Sequence, residues 1–394
     1  MRCSVLLLSI FAANTLDIGD LAKFTNSLIL FQIMSALSLA GLSNVLIKDL
    51  AEIQDARTRA SFSISSLTLI LILSMFLSII YVLLIYYLHN DEVILLDTLL
   101  FALSITLSAL LLSFMAIAQG LFDYKTYLQS SAIYSLVILV ILVFFWWSKF
   151  SFLPLVLFIA NALSLVFIFF RLKHSVFDIE NFEWKKNASI DNALGIFKKS
   201  YPIFISSLLV MPVMFIGNIL ITKYSNDIQV SIYNLAFQWR NVVALVPAAI
   251  IQAFLPYMVK SGKGAQISST MIYIYIVVVL MTCFVSYIFV QNIDLLYGVE
   301  ILQYKDVFYF MVLSSIVSSI GGFVGQYFLA NSNYYLCLSI NVFWSCTYLM
   351  MLYFSDLENI SADGLTLILL CSYMALVLFQ VGIFIFGKIY RREY

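Results

Sequence analysis

The sequence has few charged residues for its length. Only 11% of its 394 residues are Asp, Glu, Lys or Arg, whereas about 25% is usual in a soluble domain. Hydrophobic residues make up 63% of the chain, and its mean hydropathy is +1.02. A soluble fold could not cover so much apolar surface, so the composition predicts an integral membrane protein. The net charge of zero gives no reason to expect a nucleic-acid partner.

Residues that perform catalysis or bind metals are also scarce. The two histidines, His89 and His174, lie far apart, and the five cysteines lack metal-ligand spacing. The chain has no G-x-x-x-x-G-K-[ST] loop for ATP. It has no large loop for a membrane glycan polymerase or acyltransferase, and its longest polar segment, 171–200, is too short to fold alone. We therefore expect a protein that is not an enzyme, with no catalytic residue, metal site or cofactor.

Long apolar segments are what the sequence has in abundance. About 20 apolar residues in a helix cross the hydrocarbon core, and membrane strands would alternate apolar and polar residues instead. The pattern predicts twelve spans, at 3–16, 24–47, 61–88, 93–118, 128–148, 152–171, 201–222, 231–257, 267–290, 307–330, 335–354 and 364–387. The first is short and begins like a signal peptide. Because no cleavage motif follows, we expect a short first helix.

Basic residues predict how the spans are oriented. With the N-terminus in the cytoplasm, sixteen Lys and Arg residues fall on the cytoplasmic side and four on the other. We therefore expect both termini inside. The basic segment 171–200 separates helices 1–6 (1–170) from helices 7–12 (201–394), which suggests a parallel repeat. Segment 22–50 aligns on 230–258 without gaps, so that Asn26 meets Asn234 and Gln32 meets Arg240.

Arg240 is the one basic residue in the interior of a predicted span, since Arg171 stands at the very end of span 152–171. A charge at this depth costs about 2.5–3.5 kcal/mol on insertion scales. Two interpretations are open. The long side chain could bend back to the membrane surface, or the guanidinium could bind an anion in a polar cavity, since its planar fork suits phosphate.

Amides accompany Arg240. Asn234, Gln238 and Asn241 form one stripe at helical spacing. They could hydrogen-bond between helices or line a substrate path. Further amides within predicted spans are Asn14, Asn26, Gln32, Asn161, Asn218 and Asn341. Acidic residues are nearly absent there, with Asp97 close to a span end, which argues against a mechanism that needs a buried, titratable carboxylate.

The two helix-pair openings resemble a known family. Segment 11–52, with Gly19, Phe24, Gly41 and Lys48–Glu52, is similar to the opening of polysaccharide flippases of the multidrug/oligosaccharidyl-lipid/polysaccharide exporter superfamily. Spans seven and eight, with Pro202, Tyr233, Ala236 and Pro256, resemble the start of the family's second lobe. The short first helix departs from this pattern.

The resemblance implies a Wzx-type flippase of the bacterial inner membrane. Such a protein moves an undecaprenyl-diphosphate-linked O-antigen or capsule unit across the bilayer by alternating access. The implied fold is all-α, with twelve transmembrane helices in two six-helix lobes around a central cavity. The implied substrate-binding residues are Arg240, Gln238, Asn234, Asn241, Asn218, Asn26 and Gln32. Implied partners are the lipid-linked oligosaccharide, membrane lipids, a polysaccharide polymerase, a chain-length regulator and a coupling ion. The alternative is a cation-coupled multidrug exporter of the same superfamily.

Overall fold

Helices account for the folded structure because lipid offers no partners for free backbone N–H and C=O groups. A computed structural model describes residues 2–39, 41–89, 95–148, 152–173, 190–259, 268–331, 333–355 and 360–390. The predicted connecting loop at 171–200 lies largely outside these residues, so the predicted division into 1–170 and 201–394 stays a prediction. The chain forms two compact units, one of Cys3–Thr15 and Lys23–Met211, the other of Leu16–Ala22 and Pro212–Tyr394 together with Arg2.

Unit 1 is built around helix α5. Its helices are α1 (Arg2–Thr15), α2 (Ile18–Leu39, from Lys23 onward), α3 (Leu42–Glu52), α4 (Ala56–His89), α5 (Leu95–Gly120), α6 (Tyr124–Ser148), α7 (Leu153–Leu172) and the first part of α8 (Ile190–Tyr224). Helix α5 packs against α3, α4 and α7, and α6 packs on α7. Most of α5 is therefore buried, with Ile105, Ala109 and Ile117 fully covered.

Unit 2 is built around helix α13. It contains the end of α8, then α9 (Asp227–Val243), α10 (Leu245–Val259), α11 (Ser269–Gln291), α12 (Asp294–Tyr297), a 3-10 turn (Val299–Tyr304), α13 (Lys305–Ala330), α14 (Tyr334–Phe354) and α15 (Ala362–Tyr390). Helix α13 packs against α9, α10, α11 and α15, while α14 packs on α15. The predicted amide stripe and Arg240 lie on α9 of this unit.

Two predicted spans are interrupted. Span 24–47 appears as α2 and α3, and Gly41 before α3 has φ 70, which glycine adopts without a Cβ penalty. Span 231–257 appears as α9 and α10, divided at Ala244. Pro247 explains this break, because it has no N–H to donate to the carbonyl four residues earlier. Pro256, by contrast, lies inside α10.

Ten helical segments of the described chain are long and apolar enough to cross a membrane. They are Ile18–Glu52, Ala56–Tyr87, Leu95–Gly120, Tyr124–Ser148, Leu153–Leu172, Asp227–Leu255, Ser269–Gln291, Ile301–Ala330, Tyr334–Phe354 and Ala362–Ile383. These coincide with ten predicted spans. The predicted first span is the shorter apolar helix Ser4–Thr15, and the predicted seventh lies within α8. An all-helical, multi-pass membrane protein is thus confirmed, and the count of twelve stays a prediction.

Candidate functional site

Helix α9 carries the predicted amide stripe into the interior of unit 2. Its N-cap, Asn226, accepts a hydrogen bond from the Gln229 backbone N–H at 2.9 Å and fixes the start of the helix. Asn234 and Gln238 are buried, and Asn241 is half-buried. The stripe therefore lies against protein, as amides within lipid require.

Asn234 and Asn218 form a hydrogen-bonded pair. The Asn218 Nδ2 donates to Asn234 Oδ1 at 3.0 Å, and both residues are buried. The Thr222 hydroxyl, one turn further along α8, donates to the Asn218 carbonyl at 2.8 Å. Two of the predicted site residues are thus brought together, and the pair joins α8 to α9.

The Arg240 side chain is directed into unit 2. It is 9% exposed, and its Nη2 donates to the Tyr373 hydroxyl at 2.8 Å. Its guanidinium carbon lies 5.2 Å from the centre of the Tyr373 ring and 5.7 Å from that of Phe237. Both are cation–π distances. These contacts exclude the interpretation in which the side chain bends back to the membrane surface.

Among the described residues, no carboxylate neutralises this guanidinium. Within the described part of the chain, Arg240 makes no ion pair, and its buried Nε has no hydrogen-bond partner. It is the fourteenth residue of α9, which places it about 20 Å along the helix from Asp227. A buried guanidinium with only neutral partners keeps a positive charge available to an anion.

Helix α13 holds the backbone at Arg240. The Arg240 carbonyl accepts the Ala244 N–H at 3.0 Å and the Ser315 hydroxyl, also at 3.0 Å. The last turn of α9 is thereby fixed to α13 at the point where α9 ends. The side chain therefore extends from a backbone that is anchored on a neighbouring helix.

Aromatic rings surround the Arg240 partner. Trp344 stacks on Tyr373 at 5.1 Å and on Tyr348 at 5.5 Å, measured between ring centres. The Tyr373 hydroxyl lies 3.9 Å from the Met214 sulfur. Trp344, Tyr348 and Tyr373 are all buried. This packing restricts the ring of Tyr373 and so also the position of its hydroxyl.

The remaining predicted residues belong to unit 1. Asn26 is buried and Gln32 is half-buried. Their participation in a site with Arg240 stays a prediction.

Nothing in the sequence pattern points to Tyr373, Ser315 or Met214. Tyr373 is one of 24 tyrosines in the chain, and nothing in its apolar surroundings distinguishes it. Its contact with Arg240 joins residues 133 positions apart. Only the packing of unit 2 could reveal it.

Carboxylates lie at helix ends. In the described helices, every Asp or Glu lies in the first or last turn of its helix. The acidic residues of the apolar spans are Asp20, Asp49, Glu52, Asp97, Asp227, Asp306 and Asp363. No cluster of three potential metal-ligating His, Cys, Asp or Glu side chains occurs in the described residues. The interior chemistry that the structure describes is therefore that of amides, hydroxyls, aromatic rings and two buried cations, Arg240 in unit 2 and Lys48 in unit 1.

Solved structures with the same fold are membrane transporters and a flippase. The chain is similar to the lipid II flippase MurJ in an inward closed conformation (TM-score 0.64, 14% identity, 96% of this chain and 84% of that one). It is also similar to an outward-facing multidrug resistance MATE family transporter of the MOP superfamily (0.65, 13%, 98% and 91%). A third similar structure is the Vibrio cholerae MATE transporter VcmN in the bent form (0.60, 13%, 96% and 92%). A search of curated proteins gives no match.

The ten apolar spans and this fold define a multi-pass membrane protein built like transporters of the MOP superfamily. The sequence profile of a family described as polysaccharide biosynthesis protein matches residues 5–262. The chain belongs to that family, and the resemblance noted in its sequence is confirmed. Family and fold together support a membrane transporter or flippase.

Proposed function

We propose that this protein is a flippase that translocates undecaprenyl-diphosphate-linked oligosaccharide repeat units of O-antigen or capsule. It acts in the bacterial inner membrane by alternating access, with both termini in the cytoplasm. A polysaccharide polymerase, a chain-length regulator and a coupling ion are its proposed partners. The family supports the saccharide class, and the likeness to the MurJ fold agrees with it.

The observation that carries the proposal is the buried, unneutralised guanidinium of Arg240. A sugar diphosphate cannot enter hydrocarbon unaided, because its charges would lose their water. A guanidinium can replace that water with charge-assisted hydrogen bonds to phosphate oxygens. Neutral hydrogen bonds to the hydroxyls of the sugar would come from the buried amides Asn234, Gln238 and Asn218. Asn241, Asn26 and Gln32 complete the proposed substrate-binding set.

A cation-coupled multidrug exporter is the second candidate, since MATE transporters share the fold. A cationic drug would be repelled by an unpaired guanidinium. A coupling proton would need a titratable carboxylate deep in a span, whereas the described carboxylates lie at helix ends. The interior chemistry therefore favours an anionic substrate.

The test is complementation of a gene deletion in the native bacterium, with surface polysaccharide and lipid-linked units measured together. We expect the deletion to lose surface polymer and to accumulate lipid-linked units. Arg240→Ala should export at least tenfold less than wild type, because an interaction with a charged group is lost. Arg240→Lys should retain part of the activity, since it keeps the charge but not the planar fork.

The matched control is Lys223→Ala, which removes one exposed cation from the end of α8. It should export normally. Both alanine variants should fold and reach wild-type protein levels, because Arg240→Ala removes the cost of a buried charge together with the hydrogen bond to Tyr373 and the cation–π contacts. Full export by Arg240→Ala would refute the role of Arg240. Normal polymer with increased drug sensitivity in the deletion strain would instead establish the exporter.

A further inference from the structure

Tyr373 is the hydrogen-bond acceptor that the described structure gives the Arg240 guanidinium. Its hydroxyl accepts Nη2 at 2.8 Å, and the guanidinium carbon lies 5.2 Å from its ring centre. The tyrosine therefore contacts the cation in two ways, through an oxygen and through its π face. No other side chain described in the structure accepts a hydrogen bond from Arg240.

The ring of Tyr373 is itself held from behind. Trp344 stacks on it with an interplanar angle of 30°, and Trp344 is 1% exposed. Tyr348, on the same helix as Trp344, extends the stack. A ring packed in this way cannot change rotamer without disturbing the interior, so the hydroxyl is a fixed acceptor.

The chemistry of the partner matters as much as its position. A carboxylate in the place of Tyr373 would fix the guanidinium equally well but would cancel its charge. A neutral hydroxyl orients the fork through one nitrogen and leaves the charge uncompensated. The buried Nε still has no partner among the described residues, so donor capacity is also left over.

We infer that Tyr373 is a positioning residue that makes Arg240 selective for a diphosphate, by orienting the guanidinium without neutralising it. This inference rests on the proposed function and adds the residue that determines recognition of the charged headgroup. Tyr373 acts through Arg240 and does not need to touch the substrate.

The experiment compares two probes that share one lipid chain, farnesyl diphosphate and farnesol, on the purified full-length protein in detergent. The ratio of their affinities isolates the diphosphate contribution. Wild type should prefer farnesyl diphosphate, and Arg240→Ala should lose that preference. Tyr373→Phe keeps the ring stack and removes the hydroxyl. It should reduce the preference roughly fivefold to tenfold, as expected for one hydrogen bond to a charged group, without changing farnesol affinity.

Tyr275→Phe is the matched control. Tyr275 is a buried tyrosine of the same unit whose hydroxyl donates to the Ser319 carbonyl at 2.6 Å and whose ring stacks on Phe323 at 4.6 Å. It should lose a comparable amount of thermal stability and keep the wild-type preference. Tyr373→Gln supplies an amide oxygen as acceptor, so it should retain more of the preference than Tyr373→Phe and gives an answer if the phenylalanine variant does not fold.

The outcomes separate the inference from the proposed function. If wild type does not distinguish the two probes, both the anionic substrate and the role of Tyr373 are overturned. If wild type prefers the diphosphate and Tyr373→Phe does so equally, only the role of Tyr373 fails. An equal loss of affinity for both probes would show a structural role alone, and an equal loss of preference in the Phe and Gln variants would refute the hydrogen bond as the cause.

Discussion

Gly120, the last residue of α5, allows α5 and α3 to pack at very short distance in unit 1. A Cβ added there would lie 2.9 Å from the Cβ of Leu50 and 3.2 Å from both the Cα and the carbonyl oxygen of Ile47. These atoms belong to the backbone of α3 or are attached to it directly, so they cannot move aside as a flexible side chain would. Gly120→Ala should therefore force the two helices apart.

The magnitude follows from two opposing terms. Overpacking of a close-packed interior costs about 1–3 kcal/mol, whereas alanine gains up to about 1 kcal/mol over glycine in a helix. We expect Gly120→Ala to lower the free energy of unfolding by about 1–2 kcal/mol, which corresponds to a fall in melting temperature of about 2–8 °C for a unit of this size. Thermal unfolding of the purified protein in detergent, followed by tryptophan fluorescence, measures this shift.

Gly322→Ala provides the control for the same substitution in α13. Nothing lies within 4 Å of a Cβ built on Gly322, so only the gain in helix propensity remains. Its melting temperature should equal or slightly exceed that of wild type. If Gly120→Ala melts at the wild-type temperature or above it, the reasoning about close helix approach is wrong.

Two further predictions concern hydrogen bonds. Hydrogen bonds from the Thr58 side chain and backbone lower the pKa of Asp55, the residue before α4. The charged carboxylate therefore stabilises this turn fully at a pH above the unfolded pKa of about 3.8. That stabilisation is lost as the pH falls through the lower pKa of the folded state. Hydrogen exchange of the Thr58 amide, corrected for the intrinsic rate, should become faster in wild type as the pH falls through the folded pKa of Asp55, but not in Asp55→Asn. The same pH dependence in both proteins would contradict the role of the Asp55 carboxylate. Asn218→Ala removes the buried donor to Asn234 and should lower the free energy of unfolding by about 1–3 kcal/mol. The control Asn292→Ala, at an exposed position, should change it by less than about 0.5 kcal/mol. Equal effects of the two substitutions on thermal unfolding would refute the buried pair.

The spans could be predicted from the sequence because lipid imposes one rule on every crossing segment, whatever the rest of the chain does. The interruption at Ala244 was only partly predictable. Pro247 is a residue type that kinks helices, but Pro256 gives the same signal in the sequence and lies in continuous helix. A missing N–H has different consequences at different helix positions, and neighbouring helices decide which helix ends are tolerated.

The site was predictable only in its residue types. Arg240 and the amides could be selected because polar groups at bilayer depth are costly and so must have partners. Their actual partners could not be selected. Asn218 meets Asn234 across two helices, and Tyr373 meets Arg240 through the packing of α15 in unit 2. Such pairings depend on how each helix is rotated and shifted against its neighbours, and the apolar pattern of a single helix does not determine this.

The end of α9 three residues after Arg240 has an electrostatic consequence. Aligned peptide dipoles give the carboxyl end of a helix a partial negative charge, worth roughly half an elementary charge. The break at Ala244 places such an end three residues from Arg240, but α10 begins at Leu245 and turns its positive amino end toward the same point, so most of the two partial charges cancel. What remains is the Val243 carbonyl, to which Pro247 has no N–H to donate. This single dipole in the interior cannot cancel the charge of the arginine, which therefore stays available to a ligand.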